Sequence, residues 1–316
     1  ILGAKSIYNF LKKKIKKNFT FKDDFNFEKK NQKKNLNVII SKSGNTLETI
    51  VNSNTIINNL GSNIFITENK KSYLHSLAKK LKDEIIYHNN YIGGRFSVLS
   101  EVGMLPAELM GLNINKFRRL NYLIKDKRFL NSLVLNVSNI LNLVNKGKTN
   151  SIILNYDTGS SDLFYWYQQL VAESLGKKGK GIFPIISNMP KDNHSLMQLY
   201  LDGKKNNFYT FFYSKNDYSQ KINNSKILNS HLYLRNKKLN DIKYSQYLST
   251  IKVFNKKNIP YRTFEIDFKN EETLGELFSF FILETILLAK IMRINPYNQP
   301  SVELIKTNTK KILIKS

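Results

Sequence analysis

Cysteine is absent from the 316 residues of this sequence, which excludes a disulfide framework, a thiolate zinc site and a cysteine nucleophile. Histidine is scarce, occurring only at His75, His88, His194 and His231. These stand singly, without the pair four residues apart that marks a zinc-binding helix. A metal is therefore not expected. No apolar run approaches the length a bilayer demands, and the opening residues lack the apolar core and cleavage site of a secretion signal. A soluble, cytoplasmic protein without a membrane partner is expected. Short-period repeats and low-complexity linkers are also missing.

Carboxylates are few. Against 50 Lys and Arg stand 24 Asp and Glu, a formal charge of +26 at pH 7. Such an excess suits nucleic acid, an anionic substrate, or simply a lysine-heavy background. Lysine, asparagine and isoleucine recur everywhere, as a compositionally biased, adenine- and thymine-rich genome would produce, and the basic run at 12–17 falls on a plain helix face that solvent can cover. A specific RNA reader would interleave arginine and aromatics on one surface. Lysine far outnumbers arginine here, so no nucleic-acid partner is expected.

What is present is a chain long enough for a large core, and the usual domain size gives two compact units. The apolar, β-branched stretch Leu36-Asn37-Val38-Ile39-Ile40 runs into Ser41-Lys42-Ser43-Gly44-Asn45-Thr46, which reads as a strand, a Gly-containing turn and a helix start. Asn45 is expected to cap that helix with Glu48 completing a capping box, and Gly61 to end it near Leu60. Strands at 64–67 and 85–87 flank a helix over 70–81. In a helical connector near 116–148, Leu133, Val137, Ile140, Leu141 and Val144 keep helical spacing. A second cycle follows, with a strand at 152–156, a helix over about 162–175, strands at 181–187, 208–213 and 261–266, and a helix over 274–293. This alternation predicts an α/β fold with mainly parallel sheets. We expect a first domain over 1–115, a helical connector over 116–150, and a second domain over 151–316 with C-terminal helices.

The turn Ser41-Lys42-Ser43-Gly44-Asn45-Thr46 offers hydroxyls, one ammonium and backbone amides at a helix start, where the dipole favours an anion. It reads as a phosphate cradle or, equally, as an ordinary well-capped turn. Extended through Leu47-Glu48-Thr49, it resembles the sugar-phosphate loop of sugar isomerase domains. Four further segments narrow the resemblance: Gly93-Gly94-Arg95-Phe96-Ser97, Gln169-Leu170-Val171-Ala172-Glu173-Ser174-Leu175-Gly176-Lys177, Asp192-Asn193-His194-Ser195, and Asn295-Pro296-Tyr297-Asn298-Gln299-Pro300-Ser301-Val302-Glu303-Leu304-Ile305-Lys306. In this order they resemble the glucose-6-phosphate isomerase family from Ser41 to Lys306. The resemblance implies two three-layer αβα domains of sugar-isomerase type. It further implies a cofactor-independent aldose-ketose isomerase that opens glucose 6-phosphate and passes through an enediolate to fructose 6-phosphate, in glycolysis and gluconeogenesis.

By this resemblance Glu173 is the base that shuttles a proton between C2 and C1. Its place in the last helical turn before Gly176, where the dipole disfavours negative charge, should make the carboxylate more basic; a single helical Glu is otherwise most often a solvent-facing residue. Arg95, after two glycines that let backbone approach a ligand, has the oxyanion role. His194 and Lys306 resemble the pair that handles ring-opening protons, although a lone histidine is more often structural. The resemblance places the histidine in the active site of a neighbouring subunit, implying a homodimer. Gln299 matches a phosphate contact, and Ser41, Lys42, Ser43, Thr46, Thr49, Gly94 and Gln169 match other phosphate or substrate positions.

The pattern departs from the family in two places. Ser301 stands where glycine is usual, as does Ile305, whose bulk next to Lys306 bears on how that lysine is presented. The family's Gly-Gly-Ser run belongs just ahead of Ile1, so the sequence reads as cut at its front, and activity is expected of the longer parent more firmly than of these residues. The competing reading is a sugar-phosphate sensor of the same fold that has kept the cradle without turnover.

Overall fold

The computed structural model describes residues 1–25, 35–57, 61–215 and 219–315. Helix α1 (Leu2–Phe10) opens the chain. A first cycle then runs β1 (Leu36–Ile40), α2 (Leu47–Ile56), β2 (Ser62–Glu68), α3 (Tyr73–Leu81), β3 (Glu84–His88) and α4 (Glu101–Leu109). The strands form a parallel sheet in the order β1-β2-β3, with Val38 opposite Ile64 and Ile64 opposite Glu84. Short α5 (Leu120–Leu123) and long α6 (Lys127–Asn145) lead to the second cycle: β4 (Asn150–Asn155), α7 (Ser161–Leu175), β5 (Phe183–Asn188), α8 (Met197–Asp202), β6 (Asn207–Ser214), α9 (Leu239–Lys256), β7 (Tyr261–Ile266) and α10 (Glu271–Ile291). Its sheet is also parallel throughout, ordered β5-β4-β6-β7. Helix α11 (Pro300–Lys315) closes the chain.

Central β4 and β6 are buried at nearly every position, as strands covered on both faces must be. Side-chain alternation then sorts them. Ile153, Phe208 and Phe212 face a large core built with Leu163, Phe164, Trp166 and Leu170 of α7 and Phe278 and Phe281 of α10. Ile152, Leu154, Tyr209, Phe211 and Tyr213 face a second core closed by Tyr247 and Phe254 of α9. Helices thus cover both faces of the sheet. In the smaller sheet, Ile39 and Phe65 pack with Leu74 and Ala78 of α3.

The large core does not stop at the second sheet. Ile7, Tyr8 and Phe10 of α1 belong to it, as do Val98, Met104 and Met110 from the segment after the first sheet and Leu133, Val137 and Ile140 of α6. Burying each of these large apolar side chains contributes roughly 1.5–3 kcal/mol, so the second sheet, α1, α4 and α6 share one apolar body, while the first sheet packs in its own cluster.

The expected capping box on α2 does not form. Thr46 occupies the N-cap position and no side chain caps the helix; Asn45 Oδ1 instead accepts from Tyr73 N–H at 3.0 Å. The cause is Gly44, whose φ of +64° turns the loop onto the start of α3, so closely that a Cβ there would lie 2.1 Å from Ser72 Oγ. Gly44 O accepts from Leu74 N–H at 3.0 Å, and Ser72 Oγ from His75 N–H at 3.3 Å. Three amides that open α3 are thereby satisfied. Helix α2 ends at Ile56 rather than near Leu60, and 58–60 lie outside the described residues.

Candidate active site

The sheets are parallel, so the turns after β1 and β3 leave the same carboxyl edge, where α/β folds place their ligands. The turn after β1 carries Ser41 to Thr46. Ser41 is buried, its Oγ 2.8 Å from Thr46 Oγ1, while Asn45 N–H donates to Ser43 Oγ at 3.3 Å. Thr49 lies in the first turn of α2. Lys42 Nζ donates to Asn90 O at 2.8 Å and lies 3.4 Å from Glu68. That contact ties the loop to the turn after β3, which leads through Gly93 and Gly94 to Arg95.

Arg95 is 5% exposed and fully engaged. Its Nη1 donates to Glu173 Oε2 at 2.6 Å and to Gln299 Oε1 at 2.9 Å. Nη2 donates to Pro296 O at 2.6 Å and Asn298 O at 3.0 Å, and Nε to Pro296 O at 3.2 Å. Two segments distant in sequence, the end of α7 and residues 296–299, therefore converge on one guanidinium.

Glu173 is presented by α7, whose buried Leu163, Trp166, Tyr167, Leu170 and Val171 form the apolar stripe of an amphipathic helix. The helix stops at Gly176, whose N–H donates to Ala172 O; a Cβ at Gly176 would lie 2.7 Å from that same oxygen. The carboxylate thus sits in the final turn with both oxygens held, Oε2 by Arg95 and Oε1 by Gln169 Nε2 at 2.9 Å. Beside them lies a small cleft of about 30 Å³ lined by Leu2, Gly3, Gly94, Ser97, Trp166 and Gln169, among others.

Two further residues belong to this arrangement, neither singled out on sequence grounds. Trp166 Nε1–H donates to Arg95 O at 3.2 Å, so the helix that carries Glu173 also holds the arginine's backbone. Lys177 Nζ donates to Ser174 O at 3.2 Å and Asn295 O at 2.6 Å, joining the end of α7 to the segment that embraces Arg95. Partial burial, and then the nearby Arg95 guanidinium, hold the Lys177 ammonium below the usual lysine range, with Glu173 opposing. A lysine just past a helix C-terminus is a readable cap; its reach to Asn295 is not.

Arg95, Gln169, Glu173 and Gln299 form the connected group. His194 and Lys306 stand apart from it. His194 is exposed after a short 3-10 turn that follows β5, where Asp192 accepts from Asn188 N–H and Ser187 Oγ. Lys306 lies on α11, a helix with no buried residue, and pairs with Glu303 at 2.6 Å. Ser301 and Ile305 are exposed on the same helix. Among the described residues no group of three or more His, Asp or Glu is placed to hold a metal, and no helix is long and apolar enough to cross a membrane.

A family model described as phosphoglucose isomerase matches residues 23–316. The glucose-6-phosphate isomerase of Mycoplasmopsis pulmonis is 32% identical over 294 residues, covering 88% of this chain and 69% of that protein. Among solved structures, a hypothetical protein of Thermus thermophilus superposes with a TM-score of 0.87 at 24% identity, over 99% of this chain and 81% of that one. A glucose-6-phosphate isomerase of Chlamydia trachomatis does so with a TM-score of 0.76 at 18% identity, over 99% and 67%; at these identities the likeness speaks to the fold.

Proposed function

The chain belongs to the phosphoglucose isomerase family, and we propose that it interconverts glucose 6-phosphate and fructose 6-phosphate by ring opening and an enediolate, with Glu173 as the base. One observation carries the reading: Arg95 Nη1 and Glu173 Oε2, from segments 78 residues apart, lie 2.6 Å from one another. A base that takes the C2 proton creates negative charge on the adjacent oxygen, and a fixed guanidinium within reach of that base is suited to receive it.

Each neighbouring group has a part in this scheme. Gln169 holds Glu173 Oε1, so the carboxylate is aimed while it removes the proton from C2 and returns it to C1. The phosphate docks on Ser41, Lys42, Ser43, Thr46 and Thr49 at the start of α2, where no side chain competes for the helix amides. Gln299, on Arg95, completes that contact, and Gly94 leaves room for the sugar. Lys306 and His194 assist ring opening, the histidine from a second copy in a homodimer. Glycolysis and gluconeogenesis, in the cytoplasm, are the setting for this chemistry.

Glu173→Gln tests the base. It should lower kcat for sugar-phosphate interconversion by roughly 10²- to 10⁴-fold while leaving the affinity for inorganic phosphate at the parent value. Parent-like turnover in the variant would remove Glu173 from the mechanism.

A further inference from the structure

A buried imidazole lies next to the site without a part in the chemistry above. His88 ends β3 and is 4% exposed. Its Nδ1 pairs with the Glu101 carboxylate, and its Nε2 lies 3.0 Å from Ile92 O. A carbonyl oxygen only accepts, so Nε2 carries a hydrogen and the ring is fixed from both sides. Burying a polar ring is costly unless its nitrogens are partnered, and here both are. Glu101 is the first residue of α4, after the N-cap Ser100, where the helix dipole favours a carboxylate.

What this pair grips is the turn over residues 89–92. Within it, Ile92 N–H donates to Asn89 O at 3.2 Å and Tyr91 N–H to Asn89 Oδ1 at 2.9 Å. Lys42 reaches the same turn at Asn90 O. Gly93 and Gly94 follow, and at Gly94 even a Cβ would meet nothing within 4 Å, so the backbone there is held by hydrogen bonds alone, from Phe96 N–H to Gly93 O at 2.9 Å and from Ser97 Oγ to Gly94 O at 2.7 Å. Arg95 comes next, its carbonyl held by Trp166. The segment that carries the arginine is therefore held by Trp166 at Arg95 O and, three residues earlier, by His88 at Ile92 O.

We infer that His88 and Glu101 are positioning residues: together they set where Arg95, and through Asn90 also Lys42, present their charges to the phosphorylated sugar. The kinetic consequence rests on the isomerase reading, whereas the structural consequence does not. Imidazole that merely filled space would be replaceable by another ring of similar size.

The test compares the parent chain with His88→Phe, which keeps a ring but loses both hydrogen bonds, and Glu101→Gln, whose amide can accept from Nδ1 through its oxygen or donate to it through its nitrogen. Turnover is measured alongside acrylamide quenching of Trp166, the sequence's one tryptophan and a direct partner of the Arg95 carbonyl. His88→Phe should lower kcat by roughly tenfold to a hundredfold, the cost of a misplaced catalytic group, and should raise quenching of Trp166, while Glu101→Gln stays close to the parent in both. If His88→Phe does not fold, Glu101→Ala, which removes only the Nδ1 partner, takes its place. A lower melting temperature with parent kcat and parent quenching would overturn the inference. A parent chain without turnover would instead count against the isomerase reading, and Trp166 quenching alone would then decide the positioning role.

Discussion

A guanidinium presents its donors in a rigid fork, and Arg95 has every nitrogen matched to an acceptor, three of the contacts being to the carbonyls of Pro296 and Asn298. Lysine cannot reproduce that fork. Arg95→Lys should lower kcat by roughly 10²- to 10³-fold, as loss of an oxyanion donor does. Leaving the buried Pro296 carbonyl unpaired should also cost about 1–3 kcal/mol, read as a lower melting temperature; a variant unchanged in both measurements would remove Arg95 from both roles. The arginine is legible in the sequence only through the family resemblance of Gly93-Gly94-Arg95-Phe96-Ser97, since two glycines and an arginine alone read as a turn with a surface arginine. Its carbonyl partners were illegible, since nothing in the residue types at 296–298 states which distant group their backbone will meet. Lys177 and Trp166 were missed for the same reason: their partners, Asn295 O and Arg95 O, are backbone atoms far away in sequence.

At the scale of elements, the loop after β1 depends on the handedness of one residue. Gly44→Ala would place a Cβ against Ser72 and force an L side chain into a left-handed conformation, which costs about 1–2 kcal/mol before the clash is counted. Since Asn45 and Gly44 O also satisfy the opening amides of α3, the substitution should lower the melting temperature and raise KM for the sugar phosphate more than it lowers kcat. An unchanged KM would argue against a cradle at this loop. Strands here were readable because β-branched runs bounded by polar turns are distinctive, and β7 spans 261–266 as expected. Helices α4 and α9 were not read. Pro106 sits inside α4 and masquerades as a breaker, while α9 buries only Tyr247 and Phe254, too few apolar positions to show a period. The Asn45–Glu48 capping box that the sequence suggests does not form, because a sequence displays the cap but not the competing helix that claims it.

Across the whole molecule, the second sheet is locked to its helices by a polar knot. Glu284 of α10, fully buried, receives Arg262 of β7, Tyr167 of α7 through a 2.7 Å hydrogen bond, and Asn136 of α6 at 2.5 Å. Burial and then the Glu284 carboxylate push the Tyr167 hydroxyl well above the usual tyrosine range. Burial opposes the charge on Arg262, but the Glu284 carboxylate overrides it and holds the guanidinium above its ordinary value. Glu284→Gln leaves Arg262 without its counter-charge and should destabilise the fold by about 3–5 kcal/mol, a drop to be read by thermal or urea unfolding; a shift below about 1 kcal/mol would mean that Arg262 finds water or another acceptor. The formal charge of +26 predicts a second whole-molecule effect: self-repulsion should be relieved by salt, so the melting temperature should rise between low and moderate ionic strength. A falling one would mean that local ion pairs outweigh the excess. None of the knot was visible in the sequence, and neither was the packing of α1 against α7, because periodicity shows which face a helix buries without naming what it is buried against.

One consequence of the shared core remains. Val98, three residues after the arginine, and Leu170 and Val171, just before the glutamate, lie in the same continuous cluster. Warming cannot slide one partner away from the other while that body stays dry inside, so heat inactivation should coincide with melting rather than precede it. Such an enzyme would fail all at once, and cooling that restores its fold would restore its turnover in the same step.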